Sequence, residues 1–214
     1  MIARGRIARP APWVRVLSCL VLAGSGPPSR AVDVVPIAGL RFGGELTNTN
    51  DSGTSQSLTI DSAASYGAIV DLPLPADTEV QAIELYLSRQ QTTLQSGQLL
   101  TPPVADLNIS VLHVGAVGTV PTDDPRLSWL LIGTAGAARF ETGAGSDTRP
   151  SIGLGGAVRW MANDHIGLRA DLRALVDFTG SGGSVLACNG GCKYIYVGTV
   201  VVQGEASIGI VARF

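Results

Sequence analysis

The end of the chain, from Thr199 to Phe214, alternates apolar and polar side chains and finishes on an aromatic residue. Successive side chains of an extended strand point to opposite faces, so residues two positions apart share a face. The apolar face holds Val200, Val202, Ala206, Ile208, Ile210, Ala212 and Phe214, and the polar face holds Gln203, Glu205, Ser207 and Arg213. This pattern predicts a β-strand with one apolar and one polar side.

The first 31 residues differ in character from the rest of the chain. Four arginines precede the short apolar stretch Val16 to Ala23, and a segment rich in Gly, Ser and Pro then ends at Ser29-Arg30-Ala31. A basic start, a short apolar stretch and small residues before a cut are the parts of a secretory signal peptide. We therefore expect cleavage after Ala31, with residues 32–214 forming one domain.

Removal of that segment leaves ten basic residues against all 17 acidic ones, so the exported chain is acidic. An acidic chain without a basic patch is not expected to bind nucleic acid. A membrane-spanning helix needs a run of about 18 apolar residues, and the sequence has no such run. If the exported chain crosses a membrane, it must therefore do so as a closed β-barrel.

Two cysteines remain after export, Cys188 and Cys192, in the segment Cys-Asn-Gly-Gly-Cys. In an exported protein this spacing predicts a small turn closed by a disulfide, with free thiols and a metal site as the alternatives. A zinc site needs four donors, and the two histidines of the chain lie far away in sequence. The glycines near Gly153 resemble a phosphate loop only faintly, so we expect neither a metal ion nor a cofactor.

Polar turn clusters divide the chain after Val34 into eight stretches with a period of two. They are Val35 to Thr47, Ser57 to Leu72, Thr78 to Gln91, Val104 to Val120, Leu127 to Glu141, Ser151 to Trp160, Ile166 to Thr179 and Thr199 to Phe214. Val80 to Gln95 and Leu168 to Asp177 also have a composition suited to helices, but their flanking turns favour strands. An even number of strands, with short turns alternating with long loops, predicts an antiparallel up-and-down barrel.

Charged residues fall on the strand face opposite the large apolar ones. In the seventh stretch Leu168 and Leu172 share one face, and Arg169 and Asp171 share the other. We expect the apolar face to meet lipid and the charged face to line the interior, where both signs can pair, because an unpaired buried charge is costly. The predicted interior network consists of Arg41, Glu45, Asp61, Glu84, Arg139, Glu141, Arg169, Asp171, Arg173, Asp177, Glu205 and Arg213.

Aromatic residues lie mostly near the predicted strand ends, where membrane barrels have interfacial girdles. The expected girdles are Trp160 and Phe214 at one interface, and Phe140, Phe178, Tyr194 and Tyr196 at the other. Trp129 lies ten positions from Arg139, an even number, so the two residues share a strand face. Trp129 is therefore predicted to point inward unless a bulge intervenes. The fourth stretch is also irregular, because Asp106, Asn108 and Ser110 share a face with Leu112 and Val114.

Three segments resemble the small bacterial outer-membrane β-barrel domains of the opacity-type and OmpA-like group. They are Ile166-Gly-Leu-Arg-Ala-Asp-Leu-Arg173, the Cys188 to Cys192 loop, and Gln203-Gly-Glu-Ala-Ser-Ile-Gly-Ile-Val-Ala-Arg-Phe214. The resemblance implies an eight-stranded transmembrane barrel of the outer membrane, with periplasmic termini and extracellular loops. It also implies two partners, outer-membrane lipid and the barrel-assembly machinery, which would recognise the terminal Phe214.

The sequence favours a non-enzymatic protein with a structural or surface-interaction role. A lipid-modifying enzyme would need a nucleophile and a base in contact, and Ser110 and His113, three positions apart, fall on opposite faces of a strand. Side chains fill the interior of an eight-stranded barrel, so at most a narrow conductance is expected. The same alternation also permits a soluble exported barrel of the lipocalin type, with an apolar lining around a small ligand and charges facing water.

Overall fold

The computed structural model describes residues 31–49, 55–75, 80–95, 104–143, 145–178, 184–188, 192–196 and 200–214. Within these ranges the chain forms strands, turns and short irregular segments. The same ranges contain no helix long and apolar enough to cross a membrane. The predicted signal peptide lies almost wholly outside the described residues and stays a prediction.

The strands are named in chain order. They are β1 Asp33–Phe42, β2 Glu45–Thr49, β3 Ser55–Ile60, β4 Ala63–Pro73, β5 Ala82–Gln95, β6 Val104–Pro121, β7 Leu127–Thr142, β8 Gly145–Met161, β9 Ile166–Phe178, β10 Ser184–Cys188, β11 Cys192–Tyr196 and β12 Val200–Arg213. Eight of them pair side by side in the order β4, β1, β12, β9, β8, β7, β6, β5, and β5 pairs again with β4. All pairings are antiparallel, so the prediction of a closed eight-stranded barrel is confirmed.

The pairing register is staggered by ten residues round the barrel. Ala82 of β5 pairs with Pro73 of β4 on one side. On its other side the register runs from Ala82 through β6, β7, β8, β9, β12 and β1 and returns to β4 at Ala63, ten residues from Pro73. A stagger of this size tilts the strands strongly, and a barrel of eight strands then has an interior that side chains can fill.

Two breaks interrupt the first and second predicted strands. Gly43 and Gly44, with φ of 77° and 102°, separate β1 from β2, and such angles favour glycine. Asp61 and Ser62 separate β3 from β4, and the amide of Ile60 bonds the carbonyl of Gly44 at 3.0 Å. The β2–β3 hairpin therefore continues the wall beyond the breaks, and it extends the predicted strands by two residues on each side into what the sequence had suggested was a loop.

The apolar and charged faces of the wall are oriented as the alternation predicted for a membrane barrel. Leu168, Leu172 and Ile208 are 54%, 61% and 70% exposed on the outside, whereas Arg169 and Glu205 are fully buried inside. This arrangement is the reverse of a lipocalin-type barrel, in which the apolar residues would line the interior. The outward apolar side chains of all eight barrel strands form a continuous surface, called the apolar band below.

The two ends of the barrel differ. One end, called the terminal end, holds Asp33, Phe214 and the tight turns after β6 and β8, and the other is called the loop end. Trp129 and Trp160 lie on the outer surface near the terminal end, together with Phe214. Trp129 thus points outward with regular alternation along β7, which corrects the prediction that it faces the interior.

Toward the loop end the two faces of β5 to β8 exchange their chemical character: polar residues point outward and large apolar residues point inward, while the alternation itself continues unchanged. The paired outward residues Leu87, Leu112 and Ala137 are followed by the paired outward residues Arg89, Ser110 and Arg139. We call the outward polar surface of these strands the polar wall: Arg89, Gln91, Asp106, Asn108, Ser110, Arg139, Glu141, Ser146 and Thr148. Behind it lies a buried group of large side chains, called the apolar layer: Ile60, Leu107, Ile109, Phe140, Leu175 and Val201.

Because of this exchange, Phe140 lies on the interior face of β7 at the loop end. Its side chain is 1% exposed and lies inside the barrel, so its predicted place in an outer aromatic girdle is wrong. Asp106, Asn108 and Ser110 keep regular alternation and lie outside, so β6 has no slip in register. Phe42 and Phe178 are the aromatic residues on the outer surface nearest the loop end among those whose side chains are described.

A separate hairpin of β10 and β11 lies within the last long connection, which the sequence had suggested was a loop. Strand β10 lies against β7 and β8, and β11 lies against β2. Because β2 continues β1, on the opposite side of the barrel from β7, the hairpin extends across the loop end. Cys188 and Cys192 stand directly opposite each other in its ladder, and the predicted disulfide stays a prediction.

Candidate functional site

The largest group of buried charges lies at the middle of the barrel and centres on Arg169 of β9. Its guanidinium donates to Asp71 of β4 at 2.7 Å, to Glu84 of β5 at 2.7 Å and to Asp171 of β9 at 2.9 Å. These contacts join strands on opposite sides of the barrel, because β4 and β5 lie across from β9 in the strand order. Arg169 therefore links strands on opposite sides of the barrel through ion pairs in the interior.

Arg173 extends this group by one layer toward the loop end. It donates to Glu84 at 2.6 Å and to Asp171 at 2.7 Å, so both carboxylates are shared by the two arginines. Its guanidinium also lies 4.5 Å from the ring centre of Tyr86, a cation–π contact. We call Asp71, Glu84, Arg169, Asp171 and Arg173 the central cluster.

A second group adjoins the central cluster on the β1 and β12 side. Arg41 and Glu205 are paired neighbours in the register, and their side chains form an ion pair of 2.7 Å with no exposed surface. The Tyr86 hydroxyl donates to Glu205, and Arg41 donates to the Ser88 hydroxyl. Tyr86 touches both groups, so it links them into one network.

Smaller groups occupy the two ends. At the terminal end Asp33 accepts from Arg213 at 2.7 Å and from Arg159 at 2.9 Å. Toward the loop end Arg149 donates to Asp147 at 2.8 Å and lies 5.1 Å from the ring centre of Phe140. Ion pairs thus extend along most of the barrel, up to the apolar layer.

His113 occupies the interior beside Tyr86, 1% exposed. Its Nδ1 lies 3.1 Å from the Thr134 hydroxyl, which lies 3.3 Å from the Gly153 carbonyl. A Cβ on Gly153 would come within 2.5 Å of Thr134 Oγ1 and 3.1 Å of His113 Nδ1. Gly155 likewise leaves room for Arg173, so these glycines make space for interior side chains and do not form a phosphate loop.

The described interior holds charges of both signs in nearly equal number. The guanidinium groups that lie inside are those of Arg41, Arg149, Arg159, Arg169, Arg173 and Arg213, and the carboxylates are those of Asp33, Asp71, Glu84, Asp147, Asp171, Asp177 and Glu205. Burying one charge without its partner is costly, whereas a closed network offsets the loss of hydration. The network therefore stabilises the filled interior only while both signs are present.

The structure places most of the predicted network inside. Glu84, Arg169, Asp171 and Arg173 belong to the central cluster, Arg41 pairs with Glu205, Arg213 pairs with Asp33, and Asp177 is buried beside Ser151 in the register. Asp61 lies at the break between β3 and β4, half-buried, and accepts from the Thr93 hydroxyl at 2.6 Å.

Three predicted members lie elsewhere, and the structure corrects them. Glu45 is exposed, because the two glycines with positive φ turn the chain before it. Arg139 and Glu141 lie on the outside as a solvent-exposed pair of 2.8 Å. They belong to the part of β7 that lies beyond the apolar band, where polar side chains point outward.

Sequence reasoning missed several interior residues. Asp71 shows the correct parity in its strand, and Arg159 has the parity of other interior residues of β8, so both could have been found. Arg149 could not be assigned to a strand face from the sequence, because β8 begins at Gly145, within what the sequence had suggested was a loop. Tyr86 and His113 are uncharged, and their place in the network follows only from contacts across the barrel.

The geometry offers little for catalysis among the described residues. Ser110 lies on the outer face and His113 lies inside, so they form no nucleophile and base pair. No group of three or more potential metal ligands occurs among those residues. Most of the interior arginines and carboxylates bind one another, as in the central cluster and in the Arg41–Glu205 pair.

Neither a protein-family model nor a curated protein sequence matches the chain. Two solved structures cover nearly all of the barrel. Neisserial surface protein A, NspA, is 13% identical with a TM-score of 0.55, and the match covers 86% of this chain and 97% of that one. The outer membrane protein OprG from Pseudomonas aeruginosa is 11% identical with a TM-score of 0.54, over 87% of this chain and 96% of that one.

The fold is that of the small eight-stranded outer-membrane β-barrels. At these identities the likeness shows the architecture alone and transfers no ligand or activity to this chain. It agrees with the closed register, the outward apolar band and the interior ion pairs, which were established independently of it.

Proposed function

We propose that the protein is an integral β-barrel of the bacterial outer membrane, with its termini in the periplasm and its long connections outside the cell. The apolar band around a closed wall is the observation that supports this most directly. An uncovered apolar surface of this extent is unfavourable in water, and a closed barrel leaves no unpaired strand edge in lipid.

The proposed role is structural or one of surface interaction, without catalysis. Support comes from an interior in which side chains bind one another and from the absence of a nucleophile–base contact among the described residues. The apolar layer and the β10–β11 hairpin lie over the ion pairs at the loop end, which favours a closed lumen over a diffusion pore. The surfaces proposed to make contacts outside the cell are those of the polar wall, the β2–β3 hairpin and the β10–β11 hairpin.

The proposed partners are outer-membrane lipid and, during biogenesis, the barrel-assembly machinery. Phe214 is 78% exposed at the terminal end, and its amide bonds the carbonyl of Val32 at 3.0 Å. A terminal aromatic side chain on the outer surface is accessible to a periplasmic assembly factor. Replacing it, Phe214→Ala, is expected to lower the amount of folded barrel in the outer membrane, while the purified variant still refolds in detergent.

Cell fractionation with a heat-modifiable gel shift tests the location. The protein is expected in the outer-membrane pellet, and the unheated folded form is expected to migrate differently from the heated one. Recovery of the mature chain in soluble form without detergent would refute the proposal.

Orientation is tested with single cysteines in a background without native ones, Cys188→Ser and Cys192→Ser. Ser146 is exposed near the loop end, and Asp164 is exposed in the tight turn before β9. A membrane-impermeant maleimide added to intact cells is expected to label Ser146→Cys and to spare Asp164→Cys. Labelling of the second variant alone would show the opposite orientation.

A further inference from the structure

The boundary between the apolar band and the polar wall is sharp on β5, β6 and β7. Leu87, Leu112 and Ala137 are register neighbours on the outer surface, and two positions further toward the loop end the neighbours are Arg89, Ser110 and Arg139. Strands lie about 4.8 Å apart, so the two arginines stand about 10 Å from each other on either side of the serine. We call these three residues the arginine row.

We propose that the arginine row binds the phosphate of a phosphorylated glycolipid whose acyl chains lie on the apolar band. This inference rests on the proposed function, because it needs the band to lie in a bilayer. An amphipathic lipid places its first charged group at the level where the hydrocarbon ends, which is where the row lies.

The row has donors free for an anion. Arg89 is exposed, and no carboxylate among the described residues forms an ion pair with it. Arg139 uses Nε on Glu141 at 2.8 Å and Nη2 on Ser146 at 3.2 Å, which leaves other guanidinium hydrogens available. Its pair with Glu141 is exposed and therefore weak. Arginine also binds phosphate through two parallel hydrogen bonds.

The rest of the polar wall fits a sugar more closely than a simple phospholipid headgroup. Above the arginine row lie side chains with hydroxyl, amide and carboxylate groups, which donate to and accept from sugar hydroxyls: Gln91, Asp106, Asn108, Glu141 and Ser146. Thr148 pairs with Arg139 in the register and adds a hydroxyl beside the row on β8. The carboxylates above the row would repel a second phosphate at that height. The wall therefore matches a lipid with its phosphate low and its sugar hydroxyls above.

The arrangement occurs on one side of the barrel. On β9 the outward residues toward the loop end are Ala174, Val176 and Phe178, and on β12 they include Val202 and Val200. A headgroup on that side would meet apolar side chains and no cation among the described residues of the two strands. The proposal therefore predicts one preferred lipid position and not a uniform ring.

The test uses the refolded full chain in detergent and native mass spectrometry of lipid titrations. The probes are an acylated glucosamine disaccharide with phosphate groups, the same lipid without phosphate, and phosphatidylglycerol. The variants are Arg89→Gln, Arg139→Gln and the double variant, with Arg126→Gln as the control. Arg126 is an exposed arginine in the turn after β6, at the terminal end.

The wild type is expected to bind the phosphorylated glycolipid more tightly than either other probe. Each single variant is expected to weaken binding several-fold, and the double variant about tenfold or more, because charge-assisted bonds are lost. Arg126→Gln is expected to bind like the wild type.

Equal binding by the double variant and the wild type would overturn the proposal, as would equal binding of the lipid without phosphate. Equal binding of phosphatidylglycerol would overturn the assignment to a glycolipid. Each variant is first shown to be folded by its heat-modifiable gel shift. A folded outer-membrane protein with unchanged lipid binding refutes this inference alone, whereas a chain that never enters the outer membrane refutes the proposed function.

Discussion

Arg169 of β9 donates to the carboxylate of Glu84 in β5 across the interior of the barrel, at 2.7 Å. Glu84 also accepts from Arg173, and all three side chains are almost wholly buried. One carboxylate thus neutralises parts of two guanidinium groups that have no contact with water. The free energy of folding should therefore depend on this carboxylate more than on any exposed one.

Glu84→Gln is expected to lower the free energy of unfolding by about 3–5 kcal/mol, because it leaves buried arginines without enough negative charge. The measurement is urea unfolding of the protein in lipid vesicles, followed by tryptophan fluorescence. Glu141→Gln removes the partner of an exposed arginine and is the matched control, with an expected loss below about 1 kcal/mol. Similar losses for the two variants would contradict the network's stabilising role.

The barrel could be predicted from the sequence because its constraint is simple. Each strand must present alternate residues to lipid and to the interior, so Leu168 and Leu172 alternate with Arg169 and Asp171 over a whole strand. Turns such as Met161 to His165 contain the Asn and Asp that short connections favour, and the Asn163 side chain accepts from the amides of His165 and Ile166. Local sequence therefore determined the strand number and most of the orientation.

The site was less predictable because parity does not say which face is inside. Within the apolar band the apolar face is outside, but beyond the band Phe140 turns inward and Arg139 turns outward with the alternation unchanged. The position of this switch depends on the height of each residue in a tilted barrel, which one strand alone does not reveal. The prediction for Glu45 was wrong for another reason. Two glycines with positive φ interrupt the strand before it, so the alternation of β1 does not continue to Glu45.

Gly153→Ala is expected to destabilise the barrel by about 1–3 kcal/mol, because the added methyl group would overlap Thr134 Oγ1 inside a packed interior. The control is Gly133→Ala, on the outer face of β7, where a Cβ would meet nothing within 4 Å. Both are measured as vesicle unfolding midpoints. Adding Thr134→Ala should recover part of the loss, and a strictly additive double variant would argue against the overlap.

Leu172→Arg tests the contact of the apolar band with lipid. Leu172 lies near the middle of β9 and is 61% exposed on the outside. An arginine there is expected to cost about 2–4 kcal/mol in a bilayer, whereas Thr148→Arg, on the polar wall, is expected to cost about 0–1 kcal/mol. Unfolding in vesicles measures both. Equal costs would mean that the band and the wall share one environment.

Cys188 and Cys192 are register partners at the end of the β10–β11 ladder, a position compatible with a disulfide. Alkylation of the unfolded, unreduced mature protein is expected to add no label. After reduction, the same treatment should add a label at each of the two cysteines, as shown by mass spectrometry. Cys188→Ser should make Cys192 reactive without reduction. Labelling of both residues in the unreduced protein would show that the bond does not form.

The closed lumen predicts the electrical behaviour of the barrel. An ion entering at the terminal end would first pass the Asp33 group and the central cluster, whose arginines and carboxylates already bind one another, and then the apolar layer with Phe140 and Leu107. Both steps are unfavourable, since the first breaks buried ion pairs and the second offers no polar partner. Planar-bilayer recordings of the reconstituted protein should therefore show no large, stable openings. Such openings in protein with a normal heat-modifiable shift would mean that the side chains inside do not fill the barrel.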